Sequence, residues 1–592
     1  MGLAIGLISP VIACAQPDAP PTPEQAMAAY ERVEGWIRAW ELPGDPPEND
    51  FDIGGASVML RLNGEMIGRG AATGGRRALW QATRDAWIEA TGKLPVERDI
   101  LAQRNAQQLA ADVLISLELA GPSTPMLADG MAQLLSEYNP GIHGLAVQIG
   151  NRTRAIFPGA MLAMSDTPAD ALRKVLLDLF DGNLDRLYGP TLDFRSPREL
   201  RERDGAVFLR FRVTHISQTQ PGGSPVFLHR GGRIVELHHL SVEGIREWAD
   251  GMASHLALRA WPGSEPFGMA GAYNPISGES RPLVASPTEQ ALVALALRRY
   301  ARLTGLQESA ADRARAFAYR ILSELAVIDR TETDPAGDAA SAAMFILAYY
   351  EGGRPPLEVE QGTAQLFASC SAAVRSAFAP EAGFAADVPR AAYGPIAWAM
   401  LRLAHDGVGS RVTANAAINA AFELVSIDQL VMHMPWLGFA AMESGDDILR
   451  TRASALRDMR TLVHSHQITA VDLDPLDRDF AGGIVFTRGQ TPLPTWQSAR
   501  PMAFLPAMLR DSRLTPTDAR SSELVRILAG LRFLLQLTAE DATLAIARTP
   551  ARARWGVRSA LWDQRMPGDA TALTLITVCE TIRTIDAMRQ AP

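Results

Sequence analysis

From about Ser286 onward the chain is a succession of Ala- and Leu-rich segments with apolar residues at helical spacing. They pair as 287–305 with 309–328, 337–351 with 358–378, 389–405 with 411–425, 429–443 with 447–465, 498–511 with 518–537, and 543–560 with 569–588. Twelve helices in six hairpins, with almost no strand pattern between them, restrict this half of the chain to helix-on-helix packing. The spacing is irregular and no tetratricopeptide or ankyrin signature recurs, which disfavours a standard open solenoid. Segments such as Ala339–Tyr350 (AASAAMFILAYY), 391–403 and 502–509 are apolar on nearly every side, as inner helices of a closed ring would be. The pattern predicts an all-α (α/α)6 toroid over 265–592.

By helix count and texture alone, this half resembles the six-hairpin glycosidase-like architecture. In such a ring the loops that enter alternate helices share one rim, here 269–283, 331–338, 380–393, 426–436, 472–500 and 562–569. These are richer in Pro, Gly, Asp, Trp and Tyr than the opposite connections, and the longest polar stretch is DFAGGIVFTRGQTPLPTWQSAR, 479–500. Long loops on a rigid scaffold are where binding sites collect. Tyr273, Tyr393, Trp436, Arg488, Trp496 and Arg500 are the candidate ligand contacts, because rings stack on sugar faces and guanidinium forks suit anionic groups. Asp428, Asp474 and His433 are the candidate catalytic residues, since glycosidic cleavage uses an acid and a base. No carboxylate pair stands out, and Asp is also the commonest cap and turn residue, the first reading for Asp338 and Asp569. Neither a metal nor a cofactor is implied: His464 and His466 are two residues apart near a helix end and face different ways.

The N-terminus carries a different signal. Residues 2–13, GLAIGLISPVIA, form an apolar run too short to span a bilayer, followed by Cys14-Ala15 and a Pro-rich linker, 16–23. Residues 1–15 read as a signal peptide or, with Cys14 in a VIAC context, as a lipoprotein signal. The expected localisation is exported: periplasmic, lipoprotein-anchored or extracellular. Beyond Cys14 only Cys370 and Cys579 remain, too few for a disulfide framework.

Between these lies an α+β region. Thr22 and Gln25 flank Pro23 as a capping box that opens a helix to about residue 40. Strand-turn-strand patterns follow at Asn63-Gly64 and at Gly150-Asn151, with helices at 78–91 and 169–180 and a strand at 114–119. The stretch GGASVMLRLNGEMIGRG, the strand LISLEL and the hairpin GIHGLAVQIGNRTRAIFP resemble the AMMECR-type domain over about 22–185. The resemblance implies an α+β fold, here bounded at 24–185. Where that family carries Arg-Gly-Cys-Ile-Gly, this chain has Arg69-Gly70-Ala71-Ala72-Thr73, so no thiol chemistry carries over. A second small α+β segment is expected at 186–264, with a strand at 206–215, a hairpin of 225–229 with 233–237, and a helix at 242–256.

The fold class is therefore multidomain, an N-terminal α+β region before an all-α toroid. A formal charge of −9 over 592 residues, without a basic stripe, argues against nucleic-acid binding. The expected role is an exported, envelope-associated binding or scaffold protein that recognises a glycan or protein partner with the toroid rim. A membrane is involved only through a lipid on Cys14. The alternative is a carbohydrate-active enzyme of the glycoside hydrolase or lyase type.

Overall fold

The computed structural model describes residues 19–42, 44–47, 51–93, 110–189, 193–327, 335–486 and 493–590; the segment 1–15, with Cys14, expected to be a signal lies outside them. The chain divides into two compact units, 1–230 and 231–592. The boundary between the two units falls within residues 186–264.

The first unit is α+β. Helix α1 (Pro23–Ala39) opens on the capping box: Thr22 Oγ1 accepts from the Gln25 N–H at 3.3 Å, and Gln25 Oε1 accepts from the Thr22 N–H at 3.0 Å. Strands β1 (Gly55–Leu62) and β2 (Glu65–Thr73) turn at Asn63-Gly64, whose φ angles of 51° and 81° are those of a two-residue hairpin turn. After α2 (Ala78–Lys93) come β3 (Leu114–Ala120), the two-residue β4 (Thr124–Pro125), and the hairpin β5 (His143–Ile149) with β6 (Arg152–Ile156). Helices α3 (Pro158–Met164) and α4 (Pro168–Leu179) follow, then β7 (Val207–Ser217) and β8 (Val226–Leu228). All eight strands form one antiparallel sheet in the order β2-β1-β3-β7-β5-β6, with β4 and β8 also on β7. Of the expected hairpin of 225–229 with 233–237, only Val226–Leu228 forms a strand, and it pairs with β7.

Alternation gives β1 and β3 two distinct faces. Ala56, Val58 and Leu60 join Ile115, Leu117 and Leu119 in a core under α1 and α2. Gly68 and Gly70 of β2 let α2 approach, since a Cβ at Gly70 would run into the carbonyl oxygen of Ala82. The opposite face carries Ser57, Met59 and Arg61 of β1, Ser116 and Glu118 of β3, and His215 of β7, all buried.

The second unit is a ring of helices. Its inner members are α6 (Pro287–Tyr300), α8 (Ala339–Tyr350), α10 (Tyr393–His405), α12 (Trp436–Ser444), the pair α14 (Ala499–Met502) and α15 (Leu505–Arg510), and α17 (Gly568–Gln590). From α6 to α12 each packs on the next, α14 and α15 pack on α17, and α17 packs back on α6. Phe439 meets Phe504 at 5.6 Å to join α12 to the fifth member, and Gly438 leaves room for that ring. The outer layer is α7 (Glu308–Val327), α9 (Leu357–Ser376), α11 (Arg411–Leu424), α13 (Asp446–Ser465) and α16 (Arg520–Leu537). The sixth outer place belongs to α5 (Val242–Ala257), which packs on α17. The helix expected at 543–560 is broken into two single turns, Asp541–Leu544 and Pro550–Ala553. Pro550 disfavours α backbone at Thr549 and supplies no N–H, and Gly556 weakens any continuation beyond the second turn.

At the ends of the inner helices remote from the loop rim, the ring is tied by charge. Arg299 (α6), Glu351 (cap of α8), Arg402 (α10), Glu443 (α12), Arg510 (α15) and Glu580 (α17) alternate in sign around it. Ion pairs run Arg299–Glu351 at 3.1 Å, Glu351–Arg402 at 3.8 Å, Arg402–Glu443 at 2.7 Å, Arg510–Glu580 at 3.0 Å and Glu580–Arg299 at 3.7 Å. Among the described residues no ion pair closes Glu443 to Arg510. Burial alone would raise the Glu351 carboxyl, but Arg299 and Arg402 hold it down at about 2.

Candidate functional site

Six connections precede the inner helices and so share the rim: those entering α6, α8, α10, α12, α14 and α17. Among the described residues, large side chains occupy the ring interior. Trp398, Phe439, Phe504 and Phe345 are buried, and the Arg299 guanidinium sits 4.4 Å from the Phe439 ring centre. Two cavities open among the rim loops.

One, of about 470 Å³, is lined by Asp428, Val431, Leu462, His466, Val485 and Phe486. Asp428 is exposed on the helical turn Ile427–Leu430, and Phe486 keeps 42% of its surface in solvent. A second, of about 550 Å³, lies between the first and last rim loops and is lined by Asn274, Ser277, Glu279, Arg281, Ser559 and Arg565. Arg281 and Glu279 pair across 3.1 Å, so this cavity presents a polar wall.

The candidate residues are distributed unevenly over this rim. Tyr393 is half-buried, stacked on Phe384 at 3.9 Å with a 9° interplanar angle, and its ring lies 6.4 Å from His433. His433 is itself only 1% exposed; burial pushes its imidazole down to about 4, and Nδ1 has no hydrogen-bond partner. It is therefore a neutral, enclosed ring and not a solvent-facing base. Trp496 and Arg500 are brought together, 5.8 Å apart, with Arg500 Nε donating to Gln497 Oε1 at 2.6 Å.

Three expectations are corrected by the packing. Trp436, 5% exposed, stacks on Trp398 at 6.0 Å inside the ring, because it begins an inner helix whose whole circumference is enclosed. Tyr273 is fully buried in a small cluster with Ala539, Leu544, Ala553 and Met566, capped by the Arg552 guanidinium at 4.8 Å. Asp474 is an exposed turn residue whose carboxylate accepts from the Leu476 N–H at 2.9 Å. Arg488 lies outside the described residues.

Two carboxylates, Glu289, unremarked in the sequence, and Asp569, read there as a cap, stand at the first turns of the first and last inner helices. Glu289 Oε1 accepts from the Gly568 N–H at 2.6 Å, and burial, opposed by Arg259, raises its carboxyl above the usual range. Asp569 is raised by burial too, with Arg500 opposing. Their signal in sequence, an acid just inside a helix N-terminus, is that of ordinary capping, which hides their neighbourhood to each other. Among the described residues no group of three metal-ligating side chains occurs, and no helix is long and apolar enough to cross a membrane.

The first unit has its own cavity, of about 410 Å³, beside Arg69, Gly70 and Ala71 of β2. Ser57, Met59, Asp85, Arg154, Phe157 and Lys174 complete much of its wall. Behind it Glu118, fully buried, accepts from the Gly159 N–H at 2.7 Å through Oε1, while Oε2 has no partner; burial pushes its carboxyl up to about 8.

No family model matches the chain, and no curated protein matches it. Among solved structures it is similar to the uncharacterized protein PH0010 from Pyrococcus horikoshii, at 14% identity and a TM-score of 0.23, over 35% of this chain and 95% of that one.

Proposed function

We propose that this is an exported, envelope-associated binding or scaffold protein that recognises a glycan or protein partner with the loop rim of its helical unit. The observation that carries this reading is the filled interior: a hydrolase of ring architecture needs a bowl that swallows substrate, whereas here Trp398, Phe439 and Phe504 occupy that space. The perimeter cavities are suited to gripping a partner's edge. Phe486 and Asp428 in one of them offer an apolar plate and an acceptor for hydroxyls. Export rests on the apolar run 2–13, and anchoring on lipidation of Cys14. The finer identity of the first unit as an AMMECR-type domain rests on the quoted hairpins; with Ala71 in the Cys position its role is architectural.

A second reading, a carbohydrate-active enzyme, draws on Glu289 and Asp569, whose carboxyls are both held above the ordinary range in the manner of general acids. Screening the whole chain against a glycan panel separates the two. Binding that falls ~10-fold in Phe486→Ala, with no product released from any glycan, supports recognition. Turnover that disappears in both Glu289→Gln and Asp569→Asn replaces it with catalysis.

A further inference from the structure

A further cavity of the helical unit, about 560 Å³, is on neither the rim nor the charged end. It lies between α16, the end of α13, the 467–482 loop and the connector 234–237. The connector is pinned to α16: the Val235 N–H donates to Gln536 Oε1 at 2.7 Å, and Gln536 Nε2 donates to the Arg233 carbonyl at 2.7 Å. That strapping holds the space open without filling it.

Its walls combine two chemistries. Ile234, Leu237, Ile468, Ala470, Val525 and Ala529 form an apolar lining, and at the mouth Leu237 and Val525 are 53% and 62% exposed. Apolar surface left in water at a concave site favours an apolar occupant. Against this lining stand Arg478, Arg526 and Arg532 with a single carboxylate, Glu236. None of the three guanidinium groups makes an ion pair within 4.0 Å among the described residues. Arg532 is 4% exposed and donates to the Val235, Asp479 and Ala481 carbonyls, which hold its position without cancelling its charge. Beyond the wall, Asp479 interacts with both Arg532 and the fully buried Arg558, and Glu523 interacts with Arg526. His464 adds a buried polar atom: Nε2 is engaged with Glu523 Oε2 at 2.8 Å, and Nδ1 has no partner.

We propose that this cavity binds an amphipathic carboxylate, a molecule with a hydrocarbon body for the apolar wall and one acidic head for the arginines. Charge complementarity selects the acid over a neutral lipid of equal length: on the cavity wall three guanidinium groups stand against one carboxylate, Glu236. The volume falls within the range of sites for small organic ligands. The site is independent of the rim reading and stands or falls separately from it.

Isothermal titration of the whole chain with decanoate and, in parallel, decanol tests this. Arg478 and Arg526 are exposed, so Arg478→Ala/Arg526→Ala keeps the fold, checked by an unchanged unfolding midpoint. Decanoate is expected to bind at least ~10-fold more tightly than decanol and to lose ~10-fold in the double variant, with decanol unaffected. Ala529→Phe, which occupies the cavity, is expected to remove binding of both. Equal affinities for acid and alcohol, an unaltered double variant, full binding in Ala529→Phe, or no heat from decanoate with the wild-type chain would each overturn the proposal.

Discussion

Both units bury charge, and they do so in opposite ways. In the sheet of the first unit Glu118 and Arg61 are 0% and 4% exposed, yet Glu118 Oε2 and two nitrogens of Arg61 have no partner. Burial pushes Glu118 up to about 8 and Arg61 down to about 10, so each is driven toward its neutral form. In the helical unit Glu351 and Glu580 are equally enclosed, but each is flanked by arginines of neighbouring inner helices and stays ionised. Enclosure is the same; the difference is whether the topology brings an opposite charge within reach. A ring lets a helix end meet two others: Glu351 lies between Arg299 and Arg402, and Glu580 between Arg299 and Arg510. A sheet offers its central acid only the strands beside it, here with Ser57 and His215 opposite.

The strongest way to break this comparison is to remove one member of the ring. Glu351→Gln leaves Arg299 and Arg402 facing a neutral amide inside the protein, and loss of one partner of a buried pair costs about 3–5 kcal/mol. Urea unfolding at pH 7 is expected to show a loss of that order. An effect below about 1 kcal/mol would mean that the ring is ornamental and that apolar packing closes the toroid.

pH separates the units more finely. Glu351 has a depressed carboxyl, about 2 against 4.5, so its contribution is present above pH 4.5 and is lost as pH falls toward 2. Glu118 is the reverse: raised from 4.5 to about 8, it favours folding in acid, and that stability drains away as pH rises from 4.5 through 8. Glu118→Gln, isosteric and uncharged, is expected to abolish a slope of roughly 1.4 kcal/mol per pH unit between pH 5 and 8. Thermal unfolding midpoints of wild type and variant across that range are the measurement. Parallel curves would show that Glu118 is ionised in the native protein.

Much of this architecture was legible beforehand, for a physical reason: helix periodicity, Asn63-Gly64 and the Thr22 capping box are local signals and need no tertiary partner. The break at 543–560 was also local, in Thr549-Pro550, but the apolar period on either side masked it. The sixth outer helix came from 242–257, far from its ring neighbours in sequence, and nothing local says which surface a helix will cover. Candidate sites fared by the same rule. Aromatic residues next to inner helices, Trp436 above all, were read as surface because loop edges usually are; ring packing enclosed them. Arg299, Glu351, Arg402, Glu443, Arg510 and Glu580 are spread over nearly 300 residues, yet each follows an apolar stretch of an inner helix. That recurrence was the available signal. Glu118 offered less, since an acid in LISLEL alternates outward from the apolar face as a solvent-facing residue would.

The smallest expected effect concerns the apolar face of the first unit, and it asks whether Arg69-Gly70 is a matter of chemistry or of space. Gly70 pairs with Val58 in the sheet, and directly over it pass the Ala82 carbonyl and the Ala86 N–H of α2. A methyl group there meets backbone, which cannot rotate away as a side chain would, so α2 must lift and its contacts with Val58 and Leu60 loosen. Overpacking of this kind costs about 1–3 kcal/mol. Gly70→Ala is expected to fall in that range, with the decanoate cavity and the ring of charges in the other unit untouched. Gly74, whose added Cβ would meet open space but whose φ is 79°, supplies the control: alanine there is strained by backbone conformation alone, at about 1 kcal/mol. If Gly70→Ala proves no costlier than Gly74→Ala, close approach of α2 is not what the glycine serves.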